Sequence, residues 1–289
     1  MNPLDLEDPV VRLNVYLDLV TVTEYYLPGT VDCMLDLEAT PVTSRNRRRI
    51  YSSFTPTTVQ YKKGSRPFFE RILDKILTED MGEWERFATI GRWVTTREGW
   101  PPRSKRLPRG KFHGGTEEVI VKKGGGQCNE TARLLTTALN VAGIPARQIG
   151  HWNACFRKRG KRVGHMTNEA HVNGNWIYID ATRGLMVPRG RGWASAWDLR
   201  NQPDLIRQCP DEFLRGYRNE LSPAKMREFL LNNFDAETTL LTVTNYSIDE
   251  RDRYNYDYFV PPKALRDHFG KERPKMFRRA RRRVERDDE

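Results

Sequence analysis

Three consecutive glycines, Gly124 to Gly126, run through Gln127 into Cys128, and the cysteine opens a well-patterned helix. Apolar residues follow at Ala132, Leu134, Leu135, Ala138, Leu139 and Ala142, which is helical spacing. Gly143 ends the run and Pro145 blocks a restart. Cys128 is therefore expected at a helix N-terminus, where unpaired backbone N–H groups and the helix dipole favour negative charge. That position favours the thiolate, the form of cysteine that attacks carbonyl carbon. The glycines let the backbone pass close to a substrate. A buried, inert cysteine after a glycine-rich turn is the competing reading, and what lies downstream has to choose between them.

The chain of 289 residues has room for one large domain or two small ones with a proper core. Residues Met1 to Pro9 are acidic and lack the apolar stretch of a secretory signal, and charges interrupt every apolar run before it could span a bilayer. The four cysteines, Cys33, Cys128, Cys155 and Cys209, lie far apart with no CxxC spacing. Neither a disulfide framework nor a zinc site is expected from them, and the default setting is reducing and cytoplasmic. The net charge of +11 is uneven: Lys271 to Arg286 holds nine basic and two acidic side chains. Smaller basic clusters occur at Arg45 to Arg49, Arg103 to Lys111 and Arg157 to Arg162. Contact with a polyanion through the basic tail is one expectation from this charge; a solvated tail is the other.

Along the chain, Val10 to Val42 reads as strands from the alternation Leu13, Val15, Leu17, Leu19 and Val31, Cys33, Leu35, Leu37. Ser44 to Arg49 reads as a basic loop and Ile50 to Lys62 as a further strand. Pro67 to Thr95 is helical in pattern, and Glu98 to His113, rich in Pro, Gly and Arg, reads as a long loop. Ala146 to Trp152, His165 to Val172 and Trp176 to Asp180 are expected strands. Asn173-Gly174 joins the last two as a two-residue hairpin of type I′. After Trp197 the pattern is helical again, with Ser222-Pro223 as the start of a helix holding Met226, Phe229 and Leu230.

A thiolate nucleophile needs a base, and the base needs a group to orient it. The hairpin selects candidates. With Val172 opposite Asn175, Glu169 faces Tyr178 and Thr167 faces Asp180, so His165 and Asp180 are diagonal neighbours on one face. Such diagonals lie roughly 7–8 Å apart, within reach of a His–Asp hydrogen bond. His171 shares the face but lies on the order of 13 Å from Asp180 at strand rise, and stands as the second choice. A slip of one residue would put His165 and Asp180 on opposite faces.

Gly126-Gln127-Cys128, Gly143-Ile144-Pro145-Ala146-Arg147, His165 to Glu169, Gly174-Asn175-Trp176 and Asp180-Ala181-Thr182 occur in that order. Together, over roughly residues 65 to 185, they resemble the transglutaminase-like superfamily. The resemblance implies an α+β fold of papain/transglutaminase type, with the helix carrying the nucleophilic cysteine packed on an antiparallel sheet. It implies Cys128 as nucleophile, His165 as acid and base, and Asp180 as orienting residue, with no metal or organic cofactor. The Cys128 backbone N–H is the expected oxyanion donor. A second donor is sought in the Gln127 side chain or in an upstream Trp such as Trp93 or Trp100.

These readings divide the chain into an N-terminal β-rich segment (1–64), a catalytic core (65–200), a C-terminal helical extension (201–270) and a basic tail (271–289). The expected chemistry is cysteine-dependent acyl transfer on a peptide or protein amide through a thioester, resolved by water or by an amine. The alternative of another class is a non-catalytic module that holds a polyanion or partner protein on its basic surface and tail.

Overall fold

The computed structural model describes residues 40–42, 47–51, 61, 63–102, 117–153, 164–216, 221–236 and 239–244. The strands expected between Val10 and Leu37, most of the Ile50 to Lys62 strand, most of the Glu98 to His113 loop and the basic tail lie outside these residues.

The fold is α+β and is built on one antiparallel sheet. Its strands are β1 (Thr40–Pro41), β2 (Ala146–Asn153), β3 (Gly164–Val172), β4 (Asn175–Ile179) and, from the far end of the chain, β7 (Thr239–Thr244). The spatial order is β1-β7-β2-β3-β4. Between β4 and β7 come a small hairpin of β5 (Pro188–Arg189) and β6 (Gly192–Trp193) and a run of helices. Before β2 come α1 (Arg47–Ile50), α2 (Pro67–Ile76), α3 (Glu83–Thr96), α4 (Glu117–Lys122) and α5 (Cys128–Val141). After β6 come α6 (Ala196–Asn201), α7 (Asp204–Arg207), α8 (Asp211–Arg215) and α9 (Pro223–Phe234).

Both faces of the sheet are covered, and strand alternation sends side chains to each. Ala170, Val172, Ile177 and Ile179 join Phe69, Phe87, Ile90, Leu134, Leu135 and Leu139 in one core, beneath α2, α3 and α5. Ile149, Tyr178, Leu241 and Val243 join Leu199, Ile206, Leu214, Met226 and Leu230 in the other, beneath the C-terminal helices. Every residue of α5 from Asn129 to Asn140 is buried, so this helix is enclosed on all sides. Its C-terminus closes as the sequence requires: Gly143 takes φ +80°, and Ile144 N–H returns to the Leu139 carbonyl at 2.9 Å.

Two expectations are corrected. Arg47–Ile50 is a short helix where a basic loop and a strand start are read from sequence. The stretch 201–270 is not wholly helical: Thr239–Thr244 is a strand that pairs with β2, Ile149 opposite Val243. Its sequence, Thr-Leu-Leu-Thr-Val-Thr, is rich in β-branched residues, and Leu241 and Val243 fall on one face. It lies between β1 and β2, in pairings with residues far away in the chain that no local pattern announces.

Candidate active site

Cys128 is the first residue of α5, and it is partly exposed while Asn129 to Asn140 are buried. The loop before it is held from both sides. The Arg97 guanidinium donates to the carbonyls of Gly124 (3.0 Å) and Gly126 (3.4 Å). From the other side, the Glu130 carboxylate folds back to accept the Gln127 N–H at 2.9 Å. These contacts explain the glycines. Gly125 has φ +123°, and a Cβ there would overlap the Arg97 guanidinium; a Cβ on Gly126 would overlap the Glu130 side chain. Only glycine lets the chain pass between these two anchors.

The β3–β4 hairpin has the register expected from Asn173-Gly174. Val172 pairs with Asn175, His171 with Trp176 and Glu169 with Tyr178, and both turn residues have positive φ. His165 stands at the start of β3, and Asp180 immediately follows β4. Their side chains meet: His165 Nε2 donates to Asp180 Oδ2 at 2.7 Å, and both residues are buried. The remaining ring nitrogen, Nδ1, is the one left for Cys128, whose sulfur lies near enough to the imidazole to favour its charged form. His171 is elsewhere, its ring against Trp176.

Electrostatics favour a charged imidazole. Burial alone would strip His165 of its proton, but the Asp180 carboxylate and the Cys128 sulfur outweigh burial and raise it to about 10. Asp180 is likewise pushed up by burial, and His165 and Arg183 pull it below the usual carboxylate value. Its other oxygen, Oδ1, accepts the backbone N–H groups of Thr182 (3.0 Å) and Arg183 (3.2 Å), which fix the carboxylate plane.

Three neighbours of the site are not legible in the sequence. His151 pairs across from His165 on β2, its ring 6.1 Å away. It is buried, its Nδ1 meets the Asn233 carbonyl at 3.1 Å and its Nε2 meets the Thr167 hydroxyl at 2.9 Å. Burial and the charge of His165 lower it to about 3, so it stays neutral. Phe229 of α9 sets its ring edge-on to His165 at 5.2 Å, and Arg183 lies over that ring at 4.4 Å. The Arg97 clamp is the third, since nothing links residue 97 to the glycines except the fold.

Of the suggested second oxyanion donors, Gln127 is exposed at the N-cap of α5. Trp93 is buried against Phe69 and Trp100. Trp100 keeps its Nε1 buried without a hydrogen-bond partner among the described residues. Among those residues no cluster of three or more His, Cys, Asp or Glu side chains is placed to hold a metal ion, and no helix is long and apolar enough to cross a membrane.

No curated protein matches the sequence. One solved structure, provisionally described as a cysteine protease from Cytophaga hutchinsonii, aligns at 17% identity with a TM-score of 0.30. The alignment covers 50% of this chain and 49% of that one, about half the length of each. A family model decides more. Residues 70–181, which hold Cys128, His165 and Asp180, match the transglutaminase-like superfamily, and the resemblance carried by the sequence motifs is borne out there.

Proposed function

We propose that this protein is a cysteine-dependent acyl-transfer enzyme acting on amide bonds of peptides or proteins. The observation that carries the proposal is one imidazole between two groups: His165 bonds Asp180 through Nε2 at 2.7 Å, and the Cys128 sulfur at the start of α5 lies near enough to act on its charge.

In this reading the Cys128 sulfur, as thiolate, attacks the amide carbonyl carbon, and the carbonyl π electrons move to oxygen. The oxyanion is met by the Cys128 backbone N–H at the start of α5. His165 gives its proton to the departing amine as the C–N bond breaks, leaving a thioester on Cys128. Water or a primary amine then attacks the thioester while His165 accepts its proton, and the thiolate leaves. Asp180 stays ionised throughout and holds the ring. Hydrolysis is the first expectation and amine transfer the second; the two differ only in what enters the last step.

The test is a peptide-amide library incubated with and without a primary amine, read by mass spectrometry. Cleaved amides, or amine-exchanged products when amine is present, support the proposal if Cys128→Ala abolishes them. A protein that turns over no amide in either condition, with no adduct on Cys128, contradicts it.

A further inference from the structure

Asp180 serves two cations with one oxygen. Its Oδ1 is occupied by the backbone N–H groups of residues 182 and 183. Its Oδ2 takes the short bond from His165 and also faces Arg183 Nε at 3.7 Å. That separation is close enough for charge attraction but too long for a hydrogen bond. Arg183 Nε is buried and has no hydrogen-bond partner among the described residues. The guanidinium is kept there by Phe229, whose ring it covers and which itself touches His165. Arg183 thus belongs to the turn after β4, but α9 of the C-terminal part decides where it sits.

We propose that Arg183 is a positioning residue that competes with His165 for Asp180 Oδ2 and thereby sets how firmly the imidazole keeps its proton. Its effect on turnover rests on the acyl-transfer reading above; its effect on the imidazole does not. The other groups facing the pair are Cys128 on one side of the ring, neutral His151 on another, and the Tyr178 phenol near Asp180, with Arg200 beyond His151. Among these, Arg183 is the cation that draws on the same carboxylate oxygen as His165. With its charge removed, Asp180 answers to His165 alone. The imidazolium then holds its proton more tightly and becomes a weaker acid toward the leaving amine.

The test uses the full chain with Arg183→Met, whose thioether can still pack on Phe229, and Arg183→Lys, which restores the charge. Two readouts are taken: the NMR titration of the His165 ring, assigned by its loss in His165→Gln, and the pH profile of kcat/KM on a cleaved amide. Arg183→Met is expected to move the titration and the alkaline limb to higher pH and to lower kcat by ~3–10-fold. Arg183→Lys is expected to return both toward wild type. If Arg183→Met does not fold, Arg183→Gln is read in the same way. A folded, charge-neutral variant whose His165 titration stays put or moves down overturns the proposal. If the titration moves up as expected but even wild type turns over no amide, the acyl-transfer reading fails and the role of Arg183 stands.

Discussion

At the scale of single residues, the site is a chain of protons and charges, and each link has its own test. Cys128→Ala should abolish amide turnover and leave the circular dichroism spectrum unchanged, because the side chain is partly exposed and fills little of the core. Asp180→Asn should lower kcat/KM by ~10²–10⁴-fold, less than loss of the nucleophile, since it misorients the base without removing it. The two buried histidines pull stability in opposite directions with pH. His165 is raised to about 10 when folded, so its contribution is complete below about 6.5 and is lost as pH climbs through about 10. His151 is lowered to about 3, so its contribution is complete above about 6.5 and is lost as pH falls toward about 3. Urea unfolding across pH should therefore show His151→Gln losing stability less steeply below pH 6 than wild type. His165→Gln should lose less between pH 8 and 10. Parallel curves for variant and wild type would mean these rings carry no such linkage.

At the scale of elements, the glycine loop and the hairpin do most of the positioning. Gly125→Ala would have to adopt φ +123° and displace the Arg97 guanidinium. It should cost about 1–3 kcal/mol of stability and shift Cys128 from His165, so activity should fall further than stability alone explains. Thermal melting and kcat/KM measured on the same preparation separate the two losses. Much at this scale was legible in the sequence. Asn173-Gly174 dictates a two-residue turn, and the turn dictates which residues of β3 and β4 face each other. The start and end of α5 followed from Gln127-Cys128 and Gly143 for the same local reason. What local pattern cannot reach is contact between distant segments. Arg97 meets the glycines, and Phe229 meets His165, only because α3 and α9 are packed where they are. β7 lies within the stretch read as helical for the same cause, because a strand is identified by its partner as much as by its own residues.

Across the whole molecule, the sheet carries two cores, and a buried ion pair crosses between two of its strands. Arg147 on β2 bonds Glu169 on β3 at 2.7 Å, with both side chains buried. Glu169 also accepts the Ala196 N–H at the start of α6 and the Tyr51 hydroxyl, and Arg147 lies over the Trp176 ring at 3.8 Å. Removing one partner leaves the other charge stranded, so Glu169→Gln should destabilise the fold by roughly 3–5 kcal/mol. A denaturant midpoint equal to wild type would contradict that. Glu169 lies on the same hairpin as His165 and Asp180 and accepts the Ala196 N–H, so the strands that build the site are held where the C-terminal helices begin. The Gly-Ile-Pro-Ala-Arg and His-to-Glu segments brought both residues to notice, but not their pairing, which is a matter of side-chain reach across the sheet. The proposed nucleophile, Cys128, is tested most directly by the rate of iodoacetamide labelling at each cysteine from pH 5 to 10, followed by peptide mass spectrometry. A thiolate paired with His165 predicts faster labelling of Cys128 than of the other cysteines, slowed in His165→Ala. Cys209, which burial pushes up to about 11, should lag far behind. Slow labelling of Cys128, no faster than Cys209 and indifferent to His165, would contradict a catalytic cysteine.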